Sequence, residues 1–168
     1  LEAGASTLAV ADTVEGRVLR ESGIEAPIIV LSRCTDTEAV CEYNLIPSVS
    51  SYAYAERLNE TALNKGKQVD IHLKINTGMS RLGFDSDAVS EVKKISRLSN
   101  LRIAGAFSHF AVSDVDDGEE FTRRQYECFN CFIDNLLREG ISIQMKHICN
   151  SGGTFSYPDM HLDAVRCG

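Results

Sequence analysis

Five side chains suited to acid–base or anion chemistry, Lys74, Arg81, His109, His147 and Arg166, stand in or just beyond short apolar runs. The densest region is 71–84, Ile-His-Leu-Lys-Ile-Asn-Thr-Gly-Met-Ser-Arg-Leu-Gly-Phe. Its first half reads as a strand: Val69, Ile71, Leu73 and Ile75 alternate with Asp70, His72, Lys74 and Asn76, so one face is apolar and the other ionisable. Thr77 and Gly78 break that strand, and Arg81 follows its tip, where α/β proteins place ligand chemistry. Lys74 has two readings. It is an interior lysine paired with an acid such as Asp70, or an amine that burial readies to lose its proton. Arg81 alone is a surface arginine or a fork for an oxyanion. His109 ends the run 103–109 ahead of Phe110-Ala111-Val112-Ser113-Asp114, and alone suits a structural hydrogen bond as well as chemistry. His147-Ile148-Cys149-Asn150-Ser151-Gly152-Gly153 closes a further run. A hydroxyl before two glycines can turn backbone N–H groups toward a phosphate, and the same composition makes a polar left-handed turn. Arg166, in the closing Asp163-Ala164-Val165-Arg166-Cys167-Gly168, is a standing cation that will not supply a proton.

Positioning these groups falls to alternating strands and helices. Strands are predicted over 7–11, 27–31, 46–49, 69–76, 103–109, 143–150 and 164–166, with helices over 13–22, 35–43, 51–65, 86–98 and 119–139. Asp12, Asp36 and Asp85 are placed to cap helix starts, and Gly23, Gly66 and Gly140 to end helices. Within 121–137, Phe121, Cys128, Phe129, Phe132, Ile133, Leu136 and Leu137 form an apolar stripe that packs on a sheet. The alternation implies a parallel sheet with right-handed crossovers. Seven strands, polar at several ends and without a Gly-rich dinucleotide fingerprint, favour an α/β fold of the (β/α)8 TIM-barrel type, one strand short, over a doubly wound sheet.

The 168 residues suit one domain, and a formal charge of −7 argues against a nucleic-acid or anionic-membrane partner. No apolar run approaches the roughly 20 residues a bilayer span needs. The opening Leu1-Glu2-Ala3-Gly4-Ala5 lacks the basic and apolar regions of a signal peptide and reads as the interior of a longer protein. Six cysteines include Cys128-x-x-Cys131, but that pair sits in a helical segment with no second pair. The cysteines are read as buried structural thiols, no metal is expected, and the compartment is read as the cytoplasm.

Residues 71–84 closely resemble the signature of alanine racemases, the pyridoxal 5'-phosphate (PLP) enzymes that interconvert L- and D-alanine. Ser108-His109-Phe110-Ala111 with Asp114, His147-x-x-Asn150-Ser151 and Val165-Arg166-Cys167-Gly168 resemble three further elements of that family in the same order. The resemblance implies that Lys74 is a carbamylation candidate whose anion holds Arg81, and that Arg81 donates to the phenolic oxygen of PLP. It implies that His109 stacks on the cofactor ring, that Asn150, Ser151 and the Gly168 N–H anchor its phosphate, and that His147 orients Arg166. Arg166 would face the pyridine nitrogen where most PLP enzymes place a carboxylate, which limits a long-lived carbanion and suits racemisation. Asn76, Cys149 and Cys167 depart from the usual Asp, Ala and Pro.

The lysine that carries the cofactor and the opposing tyrosine base have no counterpart here. The chain is therefore expected to be an internal portion, about strands 2 to 8, with neither proton-transferring base and no racemisation by itself. Two unpaired sheet edges are expected to favour aggregation. The resemblance further implies a homodimeric parent acting on alanine and supplying D-alanine for peptidoglycan. A serine racemase, a decarboxylase of the same barrel type, a non-catalytic PLP-binding barrel and a fragment that has lost the site are the rival readings.

Overall fold

The computed structural model describes residues 4–168; Leu1, Glu2 and Ala3 of the opening segment lie outside the described residues. The elements run β1 (Leu8–Val10), α1 (Thr13–Glu21), β2 (Ile28–Arg33), α2 (Thr37–Glu42), β3 (Ile46–Val49), α3 (Tyr52–Asn64) and β4 (Val69–Lys74). They continue with α4 (Val89–Ile95), β5 (Leu101–Phe107), α5 (Glu119–Arg138), β6 (Met145–His147) and α6 (Ser151–Ser156), then a 3-10 turn at Pro158–Met160. The six strands lie in sequence order and every neighbouring pair is parallel. A doubly wound sheet reverses its order at a switch point, whereas unbroken order is that of a (β/α)8 barrel open along one side. No helix among the described residues is long and apolar enough to cross a membrane.

Local chemistry sets the element ends. Asp12 accepts from the Val14 and Glu15 N–H groups and Asp36 from Ala39, which satisfies donors a helix start leaves open. Gly23, Gly66 and Gly140 take the positive φ expected just past α1, α3 and α5. Asp85 caps nothing: α4 begins at Val89 with Ala88 at its N-cap, and the Asp85 carboxylate instead receives Asn76 Nδ2 at 2.7 Å.

The run predicted as a strand at 164–166 makes only a single bridge, Ala164 to His147. Asp163 Oδ2 takes the Lys146 N–H that a ladder would use, and Leu162 just before it has φ +55. The short helix α6 replaces the turn that Ser151-Gly152-Gly153 suggested.

The stripe of α5 runs through Thr122, Gln125, Phe129, Phe132 and Leu136, while Leu137 is exposed. Cys131 lies two residues from Phe129, about 200° around the helix, so it faces outward. The expectation of buried thiols therefore fails at Cys131 and Cys167, both exposed, and at Cys128, half-buried; Cys34, Cys41 and Cys149 are buried.

Both faces of β4 are covered. Ile71 and Leu73 join one core cluster with Leu58, Ala62, Val92 and Ile95 of the helices. His72 and Lys74, only 2% and 7% exposed, point to the concave side. Register aligns Lys74, Phe107 and His147 in one row, with Ala164 bridged to its end, and Ser48, His72 and Gly105 in the row two residues earlier on β4. Gly105 is the opening through which His72 crosses toward β6: a Cβ there would lie 2.6 Å from His72 Cε1 and Nε2. Because His147 pins that ring, Gly105→Ala is expected to lower stability by about 2–3 kcal/mol. A urea unfolding midpoint equal to the parent's would show that the ring gives way.

Candidate active site

The C-terminal strand ends enclose a cleft of about 480 Å³, bounded by Arg33, Lys74, Asn76, Thr77, Arg81, Phe107, His109 and Arg166 among others. Four arginine or lysine side chains border it and no carboxylate does, in a chain of net charge −7. A low-dielectric cleft of one sign focuses the field and attracts an anion.

Arg166 is the hub. Its Nη1 donates to His147 Nδ1 at 2.7 Å, and its Nη2 to Ser108 O at 2.8 Å, Ile148 O at 3.1 Å and His109 Nδ1 at 3.3 Å. An arginine only donates, so Nδ1 of each histidine must be the acceptor. His147 then carries its proton on Nε2 and donates it to His72 Nδ1 at 3.0 Å, which leaves the His72 proton on Nε2. Burial first, and then the Arg166 charge, push His147 down to about 2 and His109 to about 4; burial takes His72 to about 4. All three imidazoles are neutral at pH 7. Burial lowers Arg166 to about 10, which leaves it protonated. His147 also stacks on Phe107, with ring centroids 5.0 Å apart and planes 3° apart.

Lys74 lies in the same row, its Nζ 4.6 Å from the Phe107 centroid. The pairing with Asp70 does not form. Register sets Asp70 opposite Arg102, and the two make a two-pronged ion pair at 2.5 Å at the N-terminal end of the strand, away from Lys74 at its C-terminal end. No carboxylate among the described residues makes an ion pair with Lys74. Burial, then the charges of Arg166 and Arg81, bring Lys74 down to about 7. Arg81 is exposed on the excursion between Asn76 and Phe84.

Asn150, Ser151 and Gly168 form a neighbouring group that does not border the cleft itself. Asn150 is the N-cap of α6, accepting from Gly153 N and Ser113 Oγ while its Nδ2 donates to Phe110 O. Ser151 Oγ and the Gly168 backbone contact each other, at 3.0 Å to the carbonyl and 3.2 Å to the N–H. The structure thus gathers Lys74, Arg81, His109 and Arg166 around one cleft, with His147 behind, and sets the other three beside it.

Sequence reasoning missed His72 and Gln125. His72 gave a signal, two residues before Lys74 on the same face. Gln125 is fully buried on α5; its Nε2 donates to Thr77 Oγ1 and His109 O, and its Oε1 accepts from Ala111 N. An amide in an apolar helical stripe is the signal that would have found it.

The chain matches, over residues 1–168, the family described as alanine racemase, N-terminal domain. It is 39% identical to the alanine racemase of Clostridium tetani and 41% identical to alanine racemase 1 of Clostridium acetobutylicum, each over 172 residues. Those alignments cover 100% of this chain and 44% of each relative. The solved alanine racemase of Clostridium difficile 630 superposes with a TM-score of 0.95 at 34% identity, covering 99% of this chain and 47% of that one. The chain therefore spans less than half the length of these relatives. With a matching sequence along its whole length and the barrel strands in the same arrangement, it belongs to the alanine racemase N-terminal domain family.

Proposed function

We propose that this chain is the cofactor-holding barrel part of an alanine racemase, which works as a homodimer in the cytoplasm and interconverts L- and D-alanine with PLP. The observation that carries the reading is Arg166, a cation held between the neutral imidazoles His147 and His109 at the floor of a carboxylate-free cleft. PLP suits that lining: its phosphate and phenolic oxygen are anionic, and its pyridine nitrogen is an acceptor. Arg166 would face the pyridine nitrogen, Arg81 the phenolic oxygen and His109 the ring, with Ser151, the Gly168 N–H and the neighbouring Asn150 at the phosphate. Bound PLP supplies an electron-withdrawing ring that acidifies the substrate α-carbon.

The chain's own residues hold and tune. Arg166 keeps its protons, so the floor of the site withholds a proton where an acid would donate one. His147 and His72 fix the guanidinium through one ordered set of tautomers. A carbamate on Lys74 would place an anion between Arg81 and Arg166, the two charges that lower that amine. The six free thiols fit a reducing compartment.

The test is the full-length parent, loaded with PLP and given L-alanine and L-serine in parallel, with D-products resolved by chiral chromatography. Fast D-alanine with little D-serine is the expected result. Preferred D-serine would move the substrate assignment to serine, and no racemisation with PLP bound would favour a non-catalytic cofactor-binding barrel.

A further inference from the structure

The excursion that carries Arg81 is closed at its base by two backbone hydrogen bonds, Asn76 N to Phe84 O and Phe84 N to Lys74 O, both 2.8 Å. Gly83 makes that closure possible: at φ +136, a Cβ there would lie 2.4 Å from Asn76 N. Inside the excursion one side chain does most of the ordering. Asn76 Oδ1 accepts from Gly78 N at 3.2 Å and from Ser80 N at 2.9 Å, which holds Ser80 in the left-handed conformation just before Arg81. Asn76 Nδ2 donates to Asp85 Oδ1 at 2.7 Å. The amide cannot flip. Its oxygen must face two donors and its nitrogen must face a carboxylate that only accepts.

We propose that Asn76 and Asp85 form an orientation-locked pair that positions Arg81 over the cleft. The link from Arg81 to a cofactor rests on the function proposed above; the clamp itself does not. Polarity in the pair is directional, and that makes it testable by exchange. In Asn76→Asp the loop acceptors remain, but two carboxylates meet where an amide met one. In Asp85→Asn the contact survives as a neutral hydrogen bond without charge assistance. Combining the two rebuilds the pair in reverse: the carboxylate now at position 76 accepts from the loop N–H groups and from the new amide at position 85.

The experiment uses the full-length, PLP-loaded parent and its three variants. It reads amide hydrogen exchange in peptides spanning 76–84 and, separately, the dissociation constant for PLP. Asn76→Asp is expected to speed exchange and weaken PLP retention by about tenfold each, the scale of one like-charge contact near a surface. Asp85→Asn is expected to change both by about two- to threefold, near the low end for losing charge assistance at an exposed pair. The double variant is expected to return to within about twofold of the parent, since it restores a charge-assisted bond. Unchanged exchange in Asn76→Asp, or a double variant no better than Asn76→Asp, overturns the clamp. Exchange that responds and is rescued while PLP affinity stays constant across all four proteins supports the clamp and overturns the role given to Arg81.

Discussion

Replacing Arg166 by leucine in the full-length protein is expected to cost about 2–4 kcal/mol of stability, since hydrogen bonds to a charged group contribute about 1.5–3 kcal/mol and several acceptors are left without a donor. Leucine fills similar space, so the loss comes from what it strands. Ser108 O and Ile148 O lose a donor, and His147 Nδ1 and His109 Nδ1 lose the cation that fixes their tautomers. Lysine should recover only part. It brings the charge as a point and cannot span acceptors from the ends of β5 and β6 as a planar fork does. A readout specific to the network accompanies the stability loss. Arg166 is the leading charge that depresses both His147 and His109, after burial. Removing it should raise both imidazole pKa values, measurable by NMR titration of the ring signals. If the variant unfolds at the parent's denaturant midpoint, the guanidinium is not the tie between these strands. If the imidazoles titrate as before, burial alone keeps them neutral.

That network shows where sequence reading stops. The alternation at 69–76 is local, so β4 and the side of it that bears His72 and Lys74 were legible from period two alone. What lies opposite each residue was not. His72 meets His147 across 75 positions, and Asp70 meets Arg102 because the β4–β5 register puts them level. Register depends on loop lengths and a shift between Ile71 and His72, which no local pattern encodes. The same gap explains Lys74: its nearest acid in sequence points to the other end of the strand, and its neighbours in space are Phe107 and two arginines.

Helix α5 forms where expected, over Glu119–Arg138, and only the width of its apolar stripe was misread. Phe121, Cys128 and Leu137 extended the apolar stripe to either side, while the buried line passes through Gln125, whose polarity disguised it. At 164–166 the composition of a strand is present, yet Asp163 captures the Lys146 N–H and leaves only a bridge. The glycines that admit His72 and close the Arg81 excursion, Gly105 and Gly83, are visible as letters; only the neighbours they meet show why a side chain is excluded. Elements and their order were thus written locally, and the contacts that make a site were not.

Lys74 should make the protein more stable as pH rises from about 7 to about 10, against the usual trend for a surface lysine. Its amine has a pKa near 7 in the fold, lowered by burial first and then by Arg166 and Arg81, against 10.5 when exposed. The unfolded chain therefore holds a proton there through that whole window while the folded chain releases it. Stability is full above the unfolded value and falls as pH drops toward the folded one. At pH 7 the penalty is several kcal/mol, roughly 3–5 by linkage. Lys74→Met removes the charge and keeps an unbranched chain against Phe107, so it should raise stability at pH 7 by about 2–4 kcal/mol and flatten the slope. Denaturant melts of both proteins at pH 7 and pH 9.5 decide this; parallel curves would mean that Lys74 stays charged in the fold. The same depressed amine gives a second expectation. Near pH 7 a large fraction is unprotonated, and the amine nitrogen can bond to the carbon of carbon dioxide, releasing a proton and leaving a carbamate anion. That anion would replace an unpaired cation by a partner for Arg81 and Arg166. Bicarbonate should then stabilise the parent near pH 7 and leave Lys74→Met unmoved, with a carbon-13 label from bicarbonate appearing on the parent alone. A protein insensitive to bicarbonate would show the amine itself filling the row beside Phe107.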